Sequence, residues 1–330
     1  MMRRSMNLLT VFCATALALP AGAAGQDSNI NLPVTELERR LGEDDFDVVS
    51  CTPSRGLPGE RTCAAALKYD DGAMLRAKWA PAARGGGEFN NRPRLELAAY
   101  EVQKLFLDEN EYVVPPTAGR CVAMTDYPPS QDPSALPIQQ TFDDWNMVLV
   151  VLQFWLWNVD GGVEAKKILD KNRIKEDPLY ARHATNFNLF TYLIKHRDSN
   201  VGNFLVSTDP NNPRVFSVDN GIAFSGGEES NRGNWLERIR VDRFPRKSID
   251  KLRAVTLEDL HAALGVVAQY EVQGGAMVPV APTANLDPGD GIRRQGSVLQ
   301  LGLKTNEIER LYGRIQDLLE DVDKGDYELF

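Results

Sequence analysis

The stretch His196-Arg197-Asp198-Ser199-Asn200-Val201-Gly202-Asn203 decides the predicted fold. It follows an apolar segment, 188–195, that we predict to be a buried helix, and it fits the pattern H-R-D-x-x-x-x-N without a gap. At this spacing Asp198 can orient a hydroxyl group and take its proton, while Asn203 can turn back to hold a metal ion. His, Asp and Asn are also common in turns, so an ordinary polar loop is the alternative.

A second motif, Asp219-Asn220-Gly221, follows a short β-like run at 215–218. Another β-like run at 204–206 precedes a turn-rich stretch, so we predict a β-hairpin between the two motifs. Asp-Asn-Gly by itself predicts only a turn. Apolar residues continue at 222–224, however, so Asp219 is predicted to lie between buried segments, where a carboxylate needs a partner such as a divalent cation.

Together these residues resemble the type II phosphatidylinositol 4-kinases and the secretory-pathway kinases related to the Golgi casein kinase. In those families Asp-Asn-Gly occurs where conventional protein kinases have Asp-Phe-Gly. The resemblance implies that Asp198 is the catalytic aspartate, that Asn203 and Asp219 bind Mg²⁺ or Mn²⁺, and that Arg197 and Asn200 support the loop. It also implies that the bound nucleotide is ATP or another nucleoside triphosphate.

The same resemblance selects a lysine and a glutamate in the first half of the chain. Lys78 lies at the end of a predicted strand, 74–79, and Glu96 lies in a predicted helix with apolar residues at helical spacing. The resemblance implies that Lys78 contacts the nucleotide phosphates and pairs with Glu96. A buried ammonium group would need such a carboxylate. A solvated lysine and an exposed glutamate form the alternative, and Glu101 competes with Glu96 on the same helix.

The glycine-rich loop of conventional kinases is missing. No G-x-G-x-x-G motif precedes Lys78. The weak substitute is segment 55–59, in which Gly56 and Gly59 are the predicted nucleotide-contacting residues. This departure weakens the prediction of nucleotide binding.

The order of predicted elements indicates the α+β class. Strands at 46–50, 63–69 and 74–79, in antiparallel order, precede one helix, and the rest of the chain is predicted to be mostly helical. We therefore expect a two-lobed kinase-like fold. Its predicted parts are a linker and first helix at 25–45, a β-rich lobe at 46–146, and a mostly helical lobe at 147–330.

Residues 1–24 have the three parts of a secretory signal peptide. Arg3 and Arg4 precede an apolar run at 8–19, which is followed by small residues. A membrane anchor is the alternative, but this run is shorter than the roughly 20 residues that span a bilayer. We therefore predict export to the periplasm or the exterior, with no transmembrane segment after the signal is removed.

Three cysteines follow the predicted signal. In an oxidising compartment we expect Cys51 and Cys63 to form a disulfide across a hairpin, which leaves Cys121 as a thiol. A zinc site is the alternative, but the chain has no C-x-x-C pair and only three histidines.

The net charge is −9 for the whole chain, with 46 acidic and 37 basic residues. A nucleic-acid-binding protein would carry a basic surface, so this balance argues against nucleic acid as a partner. It leaves a nucleotide possible, because a few local cations and a divalent metal can hold a triphosphate in an acidic protein.

These observations predict a metal-dependent phosphotransferase that moves a γ-phosphoryl group from a nucleotide to a hydroxyl acceptor on a protein, glycan or lipid. Two alternatives remain open: a non-catalytic pseudokinase scaffold, and an AMP transferase on the same fold. Retention of Asp198, Asn203 and Asp219 favours an enzyme, whereas the missing glycine loop favours a scaffold.

Overall fold

The computed structural model describes residues 27–54, 61–87, 92–128, 137–198, 200–224 and 235–330. Within these ranges the chain has the predicted two-lobed α+β fold, and no helix there is both long and apolar enough to cross a membrane. The helices are α1 Val34–Gly42, α2 Pro93–Lys104, α3 Ala165–Ile168, α4 Lys171–Glu176, α5 Pro178–Leu193, α6 Arg246–Ala254, α7 Leu257–Leu264 and α8 Thr305–Lys324. The strands are β1 Phe46–Pro53, β2 Cys63–Tyr69, β3 Met74–Pro81, β4 Thr117–Ala123, β5 Met147–Phe154, β6 Val159–Gly161, β7 Phe204–Ser207, β8 Val215–Ser217, β9 Arg243–Phe244, β10 Ala268–Gln273, β11 Ala276–Val280, β12 Ile292–Gln295, β13 Val298–Leu301 and β14 Glu328–Leu329.

Five antiparallel strands form the sheet of the first lobe, in the order β1-β2-β3-β5-β4. A tight turn joins β2 to β3, in which Asp71 accepts a hydrogen bond from the Ala73 amide at 2.9 Å. Gly72 in this turn has a φ of 83°, a conformation that glycine adopts without steric cost. The predicted antiparallel order of the first three strands is confirmed.

The sequence predicts that the second lobe begins at residue 147, at a segment that the structure places in the sheet of the first lobe. Met147–Phe154 is β5, which pairs with β3 on one side and β4 on the other, and all of its residues are buried. A short apolar run cannot be assigned to a strand or a buried helix from its pattern alone. The sheet of the first lobe therefore continues to Phe154.

Helices cover both faces of this sheet. On one face α1 packs through Leu37 and Leu41 against sheet residues that include Trp79 and Leu152. On the other face α2 packs through Leu97 against residues of β5. Strand register places Lys78 opposite Gln153, on the face that α2 covers. The first helix beyond β3 therefore lies beside the predicted phosphate-contacting lysine.

A four-stranded sheet near the C-terminus was not predicted. Its strands lie in the order β11-β10-β13-β12, and it packs against the first sheet through Tyr270 and Leu299, which contact the cluster around Leu149. The turn between β10 and β11 holds Gly274 and Gly275, both at positive φ, and a Gly-Gly pair between β-like runs is a hairpin signal. The second lobe is therefore less uniformly helical than the sequence predicts.

The helical core of the second lobe is built around α5 and α8. Asp177 caps α5 by accepting a hydrogen bond from the Tyr180 amide at 3.0 Å, and Pro178 occupies the first helical position. The helix predicted at 188–195 is the C-terminal part of α5. Phe187 and Leu311, on α5 and α8, belong to one buried cluster, to which α6 and α7 also contribute.

The segment 27–30 links the two lobes. Asp27 forms an ion pair with Arg214, which is buried at the edge of β8. Asn29 is fully buried, and its Nδ2 donates to the carbonyl oxygens of Trp157 at 2.9 Å and Asn158 at 3.0 Å, in the connection that follows β5. Ile30, next along the chain, is part of the core of the first lobe.

The predicted disulfide is confirmed. Cys51 and Cys63 are bonded, with their Cα atoms 5.4 Å apart on neighbouring strands, and Cys121 is a free cysteine. The bond closes a loop between residues separated by 12 positions. It therefore ties β1 to β2 across segment 55–60.

Replacing both bonded cysteines by alanine is expected to lower the free energy of unfolding by about 3 kcal/mol, because the cross-link restricts the unfolded chain. Urea denaturation measures this difference. Cys121→Ala is the control, and reductant should leave the double variant unaffected while it destabilises the parent. If reductant leaves the parent equally stable, the bond has no stabilising role.

Candidate active site

The predicted catalytic loop lies between α5 and β7. α5 ends at Leu193, Lys195 then adopts a φ of 52°, and the His196 amide donates to the Thr191 carbonyl oxygen at 2.9 Å. The His196 ring is buried and packs on Phe204, with ring centroids 5.4 Å apart. Burial lowers the pKa of His196 to about 4, so the ring is neutral at pH 7. This ring fixes the loop from its buried side.

Asp198 and Asn203 contact one another across the loop. The Asn203 side-chain Nδ2 donates to the backbone oxygen of Asp198 at 3.3 Å, and the Asn203 backbone amide donates to the Asn200 carbonyl oxygen at 2.9 Å. Within the described residues, Oδ1 of Asp198 is a buried atom that has no hydrogen-bond partner. A buried polar atom without a partner is uncommon and is often functional.

The β7–β8 hairpin brings the second motif to the first. β7 and β8 pair in antiparallel register, as predicted, and the Val218 amide donates to the Asn203 carbonyl oxygen at 2.9 Å. Asp219 follows at a φ of 60°, in a region that Asp and Asn tolerate better than most residues. Asn203 and Asp219 are therefore neighbours, although 16 positions separate them in the sequence.

Lys78 reaches this site from β3. Its ammonium group forms an ion pair with the Asp219 carboxylate, and both side chains are largely buried. The sequence predicts Glu96 as the partner of Lys78. Glu96 does line the same pocket as Lys78, and the positive charge of Lys78 favours its ionised form. Asp219 is the ion-pair partner of Lys78 that the prediction omitted.

Glu96 connects α2 to the Asp-Asn-Gly loop. Its carboxylate accepts a hydrogen bond from the Asn220 amide at 3.0 Å, and the side chain is buried. Burial raises the pKa of Glu96 above its ordinary value, while Lys78 and the amides of Asn220 and Gly221 act in the opposite direction. Glu101, the competing glutamate, contacts Lys104 at 2.8 Å instead.

The remaining predicted residues have separate locations. Arg197 turns to Glu237, with Nε and Oε1 3.1 Å apart, and no sequence signal pointed to this glutamate 40 positions away. Asn200 precedes a short 3-10 turn at Val201–Asn203. Gly56 and Gly59 lie outside the described residues, so their proposed contact with the nucleotide stays a prediction.

A small pocket adjoins the ion pair, and sequence reasoning found only part of its lining. Gln153 of β5 lies directly opposite Lys78 in the sheet and donates from Nε2 to Thr117 Oγ1 at 3.0 Å. The lining residues are Lys78, Ala80, Pro93, Glu96, Val151 and Gln153. Because β5 was not recognised as a strand of this sheet, its alternating side chains gave no signal of a site.

Two solved structures have a similar fold. The structure of hydra Fam20 with sugar has a TM-score of 0.53 at 13% identity, covering 91% of this chain and 99% of that chain. The crystal structure of the Golgi casein kinase with Mn and ADP bound has a TM-score of 0.50 at 11% identity, covering 88% and 75%. The sequence matches no family profile and no curated protein. The predicted kinase-like fold of the Golgi casein kinase type is thus confirmed, while the resemblance to type II phosphatidylinositol 4-kinases stays a prediction.

Proposed function

We propose that this chain is an exported phosphotransferase, dependent on Mg²⁺ or Mn²⁺, that transfers the γ-phosphoryl group of a nucleoside triphosphate to a hydroxyl acceptor. The observation that carries this proposal is the convergence of Lys78, Asp219, Asn203 and Asp198 from three elements that are distant in sequence. Ordinary turns would not bring a cation, two carboxylates and an amide together in this way.

The residues present suit a divalent metal ion. Asp219 and Asn203 offer carboxylate and amide oxygens, which are the ligands that Mg²⁺ and Mn²⁺ prefer. Among the described residues, the buried Oδ1 of Asp198 has no hydrogen-bond partner, and it belongs to the loop that carries Asn203. When bound, the metal would neutralise charge on the phosphate oxygens. Asp219 and Asn203 are the residues that would hold it.

The other side chains have distinct roles in the proposed transfer. Lys78 would bind phosphate oxygens, and Glu96 would hold the Asp219–Asn220 segment in place through the Asn220 amide. Asp198 would orient the acceptor hydroxyl and take its proton as the hydroxyl oxygen bonds to phosphorus. The bond from the γ-phosphorus to the bridging oxygen then breaks, and the nucleoside diphosphate leaves.

Export is part of the proposal and has two supports. The chain begins with a signal-like segment, and the Cys51–Cys63 disulfide suits an oxidising compartment. The acceptor is proposed only as a hydroxyl on a protein, glycan or lipid. Because the similar structures are of a sugar-bound protein and a casein kinase, glycans and proteins are the first acceptors to test.

Nucleotide binding and product mass test this function. Mg·ATP or Mn·ATP should raise the melting temperature of the folded protein, because a ligand that binds the native state stabilises it. Chelation of the metal should remove most of the effect. Mass spectrometry of the protein and of added acceptors then distinguishes a transferred phosphate from a transferred AMP. The proposal fails if neither nucleotide complex binds, and binding without any product indicates a pseudokinase.

A further inference from the structure

A buried ion pair joins the start of α2 to the start of α8. Arg94 Nη1 lies 2.7 Å from Glu307 Oε2, and Arg94 Nη2 lies 3.0 Å from Glu307 Oε1. Both residues are buried, although 213 positions separate them. The contact has the two-pronged geometry by which an arginine fixes the orientation of a carboxylate.

Arg94 and Glu96 point to different sides of the same helical turn. Two positions in an α-helix differ by about 200° around the axis, so a residue that faces α8 leaves the second residue facing away from it. Glu96 meets the Asn220 amide on that opposite side, at 3.0 Å. The first turn of α2 is therefore held from both sides, by Glu307 on one and by the Asp-Asn-Gly loop on the other.

The surroundings of Arg94 leave it little freedom. Glu307 also accepts the Lys304 backbone amide at 2.9 Å, so its carboxylate is fixed by its own helix terminus. Gly291 lies against the guanidinium group, where an added Cβ would be 2.6 Å from Cδ and Nε of Arg94. The Arg94 side chain is thus closely packed between Gly291, which precedes β12 of the four-stranded sheet, and Glu307 of α8.

We infer that Arg94 and Glu307 are positioning residues for the phosphate site: they set the rotation of α2 about its axis, and thereby the position of Glu96 and of the Asn220 amide next to Asp219. This inference rests on the proposed function. Stability alone is a weak explanation for the pair, because apolar residues can often replace a buried ion pair at no cost to stability. In contrast, fixing one orientation of a helix requires directional contacts such as the two hydrogen bonds between Arg94 and Glu307.

The double variant Arg94→Met/Glu307→Gln tests the inference. It removes the two-pronged contact and keeps an acceptor for the Lys304 amide. We expect the melting temperature to stay close to that of the parent, while the Asn220 amide exchanges with solvent at least about tenfold faster and Kd for Mg·ATP rises about tenfold. Arg40→Met is the matched control, since Arg40 is an equally buried, ion-paired arginine on α1.

Two further variants cover the case in which the double variant does not fold. Gly291→Ala should displace Arg94 sterically and produce the same local increase in Asn220 exchange. Arg94→Lys retains the charge but cannot make both contacts with Glu307. Its Asn220 exchange rate and its Kd for Mg·ATP should therefore resemble those of the double variant more than those of the parent. The inference is overturned if Asn220 protection and nucleotide affinity are unchanged in the folded variants, if Arg94→Lys matches the parent, or if exchange rises equally throughout the protein.

The exchange measurement needs no nucleotide, so the two proposals can fail separately. If the parent binds neither Mg·ATP nor Mn·ATP, the proposed function is wrong. A local loss of Asn220 protection in that case would still show that Arg94 and Glu307 position the loop.

Discussion

Asp219→Ala is expected to abolish both metal-dependent nucleotide binding and turnover. Asp219 would hold a divalent cation that neutralises charge on the phosphates, and it is also the carboxylate that faces the Lys78 ammonium group. Its loss removes both a ligand of the metal ion and the carboxylate that pairs with Lys78. Calorimetry with Mg·ATP measures binding, and mass spectrometry measures product.

The backbone at Asp219 requires a control of its own. The residue adopts a φ of 60°, which alanine tolerates poorly, so part of any loss could come from the backbone. Asp219→Gly relieves that strain, and Asp219→Asn keeps the backbone preference while it removes the charge. The alanine and glycine variants should fail to bind Mg·ATP, whereas the asparagine variant, which keeps an amide oxygen but loses the charge, should bind it more weakly than the parent. Binding by the alanine variant at the parent's level would show that Asp219 is not a metal ligand.

Asp198→Ala is expected to fail differently. Nucleotide binding should stay within a few-fold of the parent, because Asp198 would face the acceptor rather than the phosphates. Turnover should fall by about two orders of magnitude or more, the range for a group that positions the acceptor and takes its proton. Steady-state release of nucleoside diphosphate with a fixed acceptor measures the change. Asn203→Ala, as the second metal ligand, should fall between the two aspartate variants.

Stability separates this role from a structural one. If Asp198 only shaped a turn, its replacement would cost about 1 kcal/mol of unfolding free energy and leave the chemistry unaffected. Its buried Oδ1 has no partner in the described part of the chain, so Asp198→Asn should be as stable as the parent or more stable, while it remains inactive. An active, destabilised variant would contradict the assignment of Asp198 as the catalytic residue.

The sequence predicted those parts of the fold in which local pattern and tertiary contact agree. The strands β2 and β3 and the β7–β8 hairpin each pair segments that are close in sequence, so the pattern of β-like runs was sufficient. β5 was harder, because a strand buried on both faces loses the alternation that identifies strands. The run 147–154 could therefore not be assigned to the first sheet from its sequence pattern alone.

The site shows the same division. Motif spacing selected Asp198, Asn203 and Asp219 as candidates, and the Val218–Asn203 contact brings the two motifs together. The partners of Arg197 and Arg94 could not be predicted, because each comes from a distant element without a motif. Glu237 beside Arg197 and Glu307 beside Arg94 are ordinary glutamates in the sequence. Each glutamate meets its arginine only in the folded chain.

The segment 27–30 has a consequence for how the lobes can move. Hinge motions between lobes are easiest where a single connection absorbs the change in backbone angles. Here the connection after β5 is clamped by Asn29, Asp27 holds Arg214 in the second lobe, and Ile30 is embedded in the first. A wide separation of the two lobes would have to break buried polar contacts at that edge. Under the proposed function, nucleotide exchange is therefore expected to proceed through small, local displacements away from segment 27–30.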